Sequence, residues 1–340
     1  MNKRIDKPVV LVTGAAGFIG SHVCDQLAQK NYAVVGFDDL SGGFRDNVAE
    51  GVIFEQGSVT DELAVAALFD KYDFEYVFHL AAYAAEGLSH FIRNFNYRNN
   101  LLGSANLINA SLNSGRVRCF VFTSSIAVYG RNQLPMTEDT IPSPEDPYGI
   151  AKYAVELDLR AAHEMFGLNY VIFRPHNVYG ERQNLGDPYR NVVGIFMNQI
   201  MQGRELSVFG DGRQTRAFSH IADVAPVIAA SIERPACYNQ VFNVGADHAY
   251  SVLELAEVVL KSMDSNVAIK HLPPRNEVMD AYSSHEKVGK LFGDLIRNVD
   301  LETGIREMVE WAARIGPRKG SKFSNIEVEK NMPESWRRLI

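Results

Sequence analysis

No apolar run among the 340 residues approaches the 18 that would suggest a membrane span. Met1-Asn2-Lys3-Arg4 leads toward the first apolar strand without a signal-peptide core, so a cytoplasmic protein is expected. Cysteine is scarce: Cys24, Cys119 and Cys237 are scattered and odd in number, which excludes a disulfide framework and favours reduced thiols. Positive charge is also short. The 34 Lys and Arg against 41 Asp and Glu leave a net charge of −7, a poor match for nucleic acid or an anionic membrane. Any bound phosphate must therefore meet local positive charge. Internal repeats and low-complexity tracts are missing, and no His/Cys/Asp/Glu group has metal-ligand spacing, so no metal is expected. What remains is 46% hydrophobic and 22% charged, enough for one large or two smaller cores.

The N-terminal pattern is specific. Val9-Val10-Leu11-Val12 reads as a buried strand and runs straight into Thr13-Gly14-Ala15-Ala16-Gly17-Phe18-Ile19-Gly20, within which a helical pattern begins (Ile19, Val23, Leu27). The three glycines permit a tight turn, close approach of backbone to a pyrophosphate and close helix–strand packing, with the helix N-terminus facing the phosphates. A second apolar run, Ala33 to Phe37, ends in Asp38-Asp39. A carboxylate there suits the two ribose hydroxyls of NAD and repels the 2′-phosphate of NADP. Asp39 also reads as a turn cap. Dinucleotide binding, with NAD as the cofactor, is the expectation.

Two further motifs carry chemistry. Thr123-Ser124-Ser125 closes an apolar run, and Tyr148-x-x-x-Lys152 opens a helical one. A phenol and an ammonium at i and i+4 share a helix face, where the lysine charge favours the phenolate. The Ser125 hydroxyl can hold the substrate oxygen whose proton Tyr148 takes. This is an arrangement for oxidising an alcohol. His79, inside an apolar strand, reads as a satisfied core histidine.

Strand-like runs at Val52-Phe54, Tyr76-Leu80, Arg118-Phe122 and Tyr170-Phe173 alternate with helical segments at Asp61-Lys71, Asn99-Ser114 and Tyr148-Phe166. Continuous apolar strands alternating with helices indicate an α/β fold, a doubly wound parallel sheet covered on both faces. The pattern fills residues 1–175. Residues 176–316 form a smaller mixed α/β region for substrate that may return strands to the sheet. Its expected strands are Leu206-Phe209, Val241-Val244 and Val267-Ile269, with helices near Val192-Gly203, Ile221-Ile232, Val252-Met263, Ser284-Phe292 and Leu301-Ile315. Residues 317–340, carrying Arg318, Lys319, Lys322, Lys330, Arg337 and Arg338, read as a solvated appendage or an oligomer contact.

The glycine motif, Phe78-His79-Leu80-Ala81-Ala82, Ser124-Ser125-Ile126-Ala127-Val128-Tyr129-Gly130 and Tyr148-x-x-x-Lys152 together resemble the extended short-chain dehydrogenase/reductase superfamily. Arg174-Pro175-x-Asn177-Val178-Tyr179-Gly180, Val208-Phe209-Gly210-Asp211-Gly212-x-x-x-Arg216 and Phe242-Asn243-Val244-Gly245 extend the match to nucleotide-sugar epimerases of the UDP-galactose 4-epimerase type. The resemblance implies a Rossmann-type domain. It makes Tyr148 the acid/base, has Lys152 bind the nicotinamide ribose, and has Ser125 hold the reacting hydroxyl. Gly14, Gly17, Phe18 and Ile19 would contact the pyrophosphate, and Asp38 and Asp39 the adenosine ribose. Ser58, Val59, Leu80, Ala81, Ala82, Tyr83 and Thr123 would line the cofactor, with Asn100 in support. Asn177, Asn191 and Val192 would meet the nucleotide sugar, and Arg216 and Arg275 would clamp its diphosphate. A homodimer formed through the Asn99-Ser114 and Tyr148-Phe166 helices is a further implication.

Departures from the family pattern bear on the reaction. Ser58 stands where an aspartate usually faces adenine, and Ala217 follows Arg216 where an aspartate is common. Arg275-Asn276-Glu277-Val278 is one residue short of the family's Arg-x-Gly-Asp-Val, and Ala281 falls where a small residue leaves room for an N-acetyl group. Dehydratases and decarboxylases of this superfamily place acids just after the serine; here Ile126-Ala127 cannot shuttle protons, which favours 4-epimerisation. Arg182 and Arg190 keep a glucuronate substrate open. A catalytically silent, NAD-binding scaffold is the contrasting reading, against which stand Ser125, Tyr148 and Lys152 together.

Overall fold

The computed structural model describes residues 7–275, 277–318, 323 and 325–337. Six parallel strands alternate with helices: β1 (Val9–Thr13), β2 (Ala33–Asp38), β3 (Ile53–Gln56), β4 (Phe74–His79), β5 (Cys119–Thr123) and β6 (Tyr170–Pro175). With the strand Gln240–Val244 they form one seven-stranded sheet in the order Gln240–Val244, β6, β5, β4, β1, β2, β3. Every pairing in it is parallel.

Successive side chains of a strand point to opposite faces, and β1 shows what each face buries. Val10 and Val12 pack with Val23 and Leu27 of α1 (Phe18–Ala28) and with Val224 and Ile228 of the helix Ile221–Ala230. Val9 and Leu11 pack on the other face with α2 (Glu62–Lys71), α5 (Gly103–Ser114) and α6 (Pro147–Phe166) through Leu68, Ile108 and Leu159. Each such side chain contributes about 1.5–3 kcal/mol by leaving water. This is the doubly wound sheet expected from the continuous apolar runs.

The chain winds outward in opposite directions from β1 and β4, which are neighbours. A crevice is therefore left above their carboxyl ends, where ligands of such sheets bind. Two short helices, α3 (Glu86–Ser89) and α4 (Arg93–Tyr97), follow β4 along its rim. A π-helical turn, Arg98–Leu102, then leads into α5, so the helix expected from Asn99 is broken at its start.

The second region has its own core around Phe196, Leu206, Leu255 and Ile305. It returns Gln240–Val244 to the main sheet beside β6, so residue 176 is not a clean boundary. The strand expected at 267–269 lies instead at Ile269–Leu272, paired with Leu206–Phe209. Its half-exposed Ile-Lys-His-Leu sequence carries less apolar signal than the valines before it. Among the described residues, no helix is long and apolar enough to cross a membrane.

The C-terminal segment corrects an expectation. Lys319, Lys322 and Arg338 lie outside the described residues, but the rest is no solvated appendage. Met332 and Trp336 are buried with Ala85, Leu88 and Ile92, and Phe323 and Ile326 pack against the same cluster. Reading the segment by its six basic residues hid four apolar ones scattered among them.

Candidate active site

A cleft of about 450 Å³ opens above β1 and β4. All the expected cofactor, catalytic and substrate residues line it except Ser58, Asn100 and Val192. Ser58 instead bonds Thr60, its Oγ 3.0 Å from the threonine Oγ1. Val192 begins the helix Val192–Met201 and packs toward the second core. Asn100 is buried in the π-helical turn, where its Oδ1 accepts from Tyr83 N at 2.9 Å and its Nδ2 donates to Tyr83 O at 3.1 Å. It fixes the loop that carries Ala81 to Tyr83. A widened helical turn at such a place is a common way to aim a side chain.

The glycine turn admits no larger residue. Gly14 has φ +71°, and a Cβ there would lie 2.8 Å from Ala81 N; one on Gly20 would lie 2.0 Å from Gly14 O. Gly17 caps α1 without a side-chain bond, and the first turn holds no acidic residue, so the helix presents bare N–H groups to the cleft. Asp38, at the end of β2, accepts from Ala16 N at 3.0 Å and Leu40 N at 2.7 Å. Burial pushes its carboxyl above the ordinary value, and these N–H bonds oppose that. Asp39 accepts from Ser41 N at 2.9 Å, the turn cap, while also facing the cleft. A glycine cradle, a bare helix end and an acid at the end of the neighbouring strand fit a dinucleotide.

Tyr148 is held by the cap of its own helix. Asp146 accepts from Tyr148 N at 2.9 Å and Gly149 N at 3.0 Å, and Pro147 opens α6. Burial pushes its phenol well above the ordinary tyrosine value, the nearby Ser125 hydroxyl opposes, and the charges of Asp146 and Glu86 raise it further. One turn on, Lys152 is buried and donates to Thr123 O at 2.7 Å. Burial pushes its ammonium down to about 7, with Glu156 opposing. His79 is satisfied within the core, Nδ1 2.8 Å from Thr13 Oγ1 and Nε2 2.8 Å from Ser104 Oγ.

Two arginines converge at the far end. Arg216 donates to the carbonyls of Thr215 (2.7 Å), Met279 (2.8 Å) and Val278 (2.6 Å). Arg275 donates to Glu277 Oε2 at 2.9 Å, and that same oxygen lies 3.6 Å from Arg216. Two guanidiniums thus converge on one carboxylate oxygen at this end of the cleft. Asn177 and Asn191 stand nearby with left-handed backbones (φ 39° and 62°). Arg190 is paired with Asp187 at 2.5 Å, and Arg182 with Asp25 at 2.7 Å.

Sequence reading missed Glu86. It begins α3 on the cleft wall, and its carboxylate has no hydrogen-bond partner among the described residues. Its side chain is exposed to the open cleft, yet the surrounding cleft walls push the carboxyl up to about 7, Asp146 adds to this, and Arg216 and Arg275 oppose it. An acid in an alanine-rich run just past a central strand was the available signal. Replacing Glu86 with Gln removes a negative charge that raises the Tyr148 phenol. The pH dependence of kcat/KM that the phenol sets is thus expected to move to lower pH, read from a pH–rate profile.

Residues 10–245 match the model of the NAD dependent epimerase/dehydratase family. The chain is 32% identical over 319 residues to UDP-glucose 4-epimerase of Mycolicibacterium smegmatis, covering 91% of this chain and 95% of the relative. Among solved structures, UDP-glucose 4-epimerase of Thermotoga maritima with UDP-glucose superposes with a TM-score of 0.84 at 33% identity, covering 90% of this chain and 99% of that one. UDP-N-acetylglucosamine 4-epimerase of Methanobrevibacter ruminantium, in complex with UDP-N-acetylmuramic acid, gives 0.83 at 31%, covering 92% and 100%. The glycine cradle, the acid ending β2 and the Ser125 and Tyr148 hydroxyls in one cleft fit a dinucleotide and an alcohol. With these matches they place the chain in the NAD dependent epimerase/dehydratase family, an extended short-chain dehydrogenase/reductase.

Proposed function

We propose that this enzyme inverts C4 of a UDP-activated neutral hexose or N-acetylhexosamine through a transient 4-keto sugar. The observation that carries the reading is the Ser125–Tyr148 pair, followed by apolar Ile126 and Ala127, in one cleft with the converging Arg216 and Arg275. Gly14, Gly17, Asp38, Tyr83 and Lys152 would hold NAD, which when bound accepts the C4 hydride and returns it. Ser125 donates to the C4 oxygen, and Tyr148 takes its proton and later gives it back. Arg216 and Arg275 keep the diphosphate anchored while the ketone turns over, so the hydride meets the other face. Arg182 and Arg190 each already hold a carboxylate, which supports a neutral sugar over a uronate. Ala281 on the cleft wall leaves room for an N-acetyl group.

One observation favours a second reading. Glu86, with a carboxyl near 7, is an acid that could work at C5 and C6 of the ketone, as in a dehydratase. Incubation with UDP-glucose, UDP-N-acetylglucosamine and UDP-glucuronate in D₂O separates the two. NMR is expected to show an inverted H4 with C5 still protonated. A 4-keto-6-deoxy product deuterated at C5 would overturn the epimerase reading.

Copies of this chain are proposed to pair through α5 and α6. Leu102, in the turn just before α5, and Ile150 and Leu157 of α6 stand 56%, 41% and 46% exposed, and light scattering is expected to give twice the chain mass. Three buried, unbridged cysteines fit a cytoplasmic setting.

A further inference from the structure

We infer that the C-terminal segment is a positioning element of the cleft, with Trp336 orienting Arg275 and Phe323 orienting Tyr83. The inference rests on the reading of the two arginines as a diphosphate clamp. They are held very differently. Arg216 is fixed by three backbone carbonyls. Arg275 has one hydrogen bond, to Glu277, and its buried Nε has no partner among the described residues. What sets the plane of Arg275 is aromatic: its guanidinium lies 4.6 Å from the Phe209 ring and 5.8 Å from Trp336. An anion entering the site competes with Glu277 for the guanidinium, leaving the two rings to keep it aimed.

Trp336 is itself only 4% exposed. It packs edge-on against Phe91, Tyr189 and Phe209, with ring centroids 6.1, 5.5 and 6.3 Å away. It also abuts Gly87, next to the cleft acid Glu86; a Cβ there would come within 3.3 Å of the indole. Phe323 lies 5.1 Å from both Tyr83 and Phe95. Between them the segment is tied down by Glu327, whose carboxylate accepts from Asn94 N and Phe95 N at 2.8 Å, capping α4. The Glu327 amide donates to Phe91 O at 2.8 Å.

The test uses the full-length enzyme with W336L, which keeps an apolar side chain in the buried site, and with W336A and W336F. UDP affinity is measured by calorimetry, KM and kcat with UDP-glucose or UDP-N-acetylglucosamine, and NAD affinity alongside. W336L is expected to raise the UDP dissociation constant and the sugar KM by about five- to tenfold, with kcat within twofold and NAD affinity unchanged. W336F should restore most of the loss. F323L should weaken NAD rather than UDP. A W336L enzyme that binds UDP as tightly as wild type overturns the inference, as does a loss of NAD and UDP affinity in equal measure. Should wild type itself bind no UDP, the clamp reading fails instead, and the two failures are distinct.

Discussion

Replacing Tyr148 with Phe is expected to cut kcat by roughly 10²–10⁴-fold while leaving fold and NAD affinity in place. A loss of 10³ corresponds to about 4 kcal/mol of transition-state stabilisation. The change is local because nothing structural hangs on the phenolic oxygen. Asp146 caps α6 through backbone N–H groups, Pro147 remains, and Lys152 keeps its bond to Thr123 O. The ring, 7% exposed, keeps its place. What disappears is the hydroxyl beside Ser125 in the cleft that can take the C4 proton. The phenol starts above its ordinary value, so the active fraction at neutral pH is small, and the rate should rise with pH until Lys152, whose ammonium is pushed down to about 7, begins to lose its charge. Single-turnover rates with NAD bound, against pH, check both points. A variant turning over at the wild-type rate would remove Tyr148 from the mechanism.

Much of this site was legible because its parts are local. Gly14, Gly17, Asp38 and the Tyr148–Lys152 pair sit at strand ends or on one helix turn, where spacing alone sets geometry. The central strands announced themselves because burial on both faces demands continuous apolar residues, as in the fully buried Cys119–Thr123. Features made by long-range contact were not legible. Arg216 and Arg275 meet only through Glu277, and nothing in their spacing says that one rests on carbonyls and the other on aromatic rings. Glu86 stands alone in sequence; its Asp146 and Tyr148 neighbours come from a helix some 60 residues on. The C-terminal segment misled because basic residues outnumber its buried apolar ones.

The Arg174-Pro175 motif also conceals a buried ion pair with consequences for both stability and chemistry. Arg174 Nε donates to Glu156 Oε1 at 2.9 Å and Nη2 to Oε2 at 2.5 Å, with the side chains 4% and 1% exposed. Its Nη1 donates to the Tyr129 hydroxyl at 2.7 Å, which donates to Asn243 Oδ1 at 2.8 Å. The pair thus ties α6 to β5's following turn and to the strand Gln240–Val244. Glu156→Gln leaves a guanidinium without its counter-charge among apolar neighbours, and about 3–5 kcal/mol of stability should go, seen as a lower denaturant midpoint at unchanged slope. Replacing both residues by Met should recover most of it, since the cost lies in the stranded charge. Glu156 is also one turn from Lys152 and is the group that raises its ammonium. Without that charge Lys152 gives up its proton below the present value of about 7. If the cation is what Lys152 contributes, the rise of kcat/KM with pH in the still-folded E156Q enzyme must level off at lower pH than in wild type. An unmoved bend would mean that Lys152 works as a neutral donor.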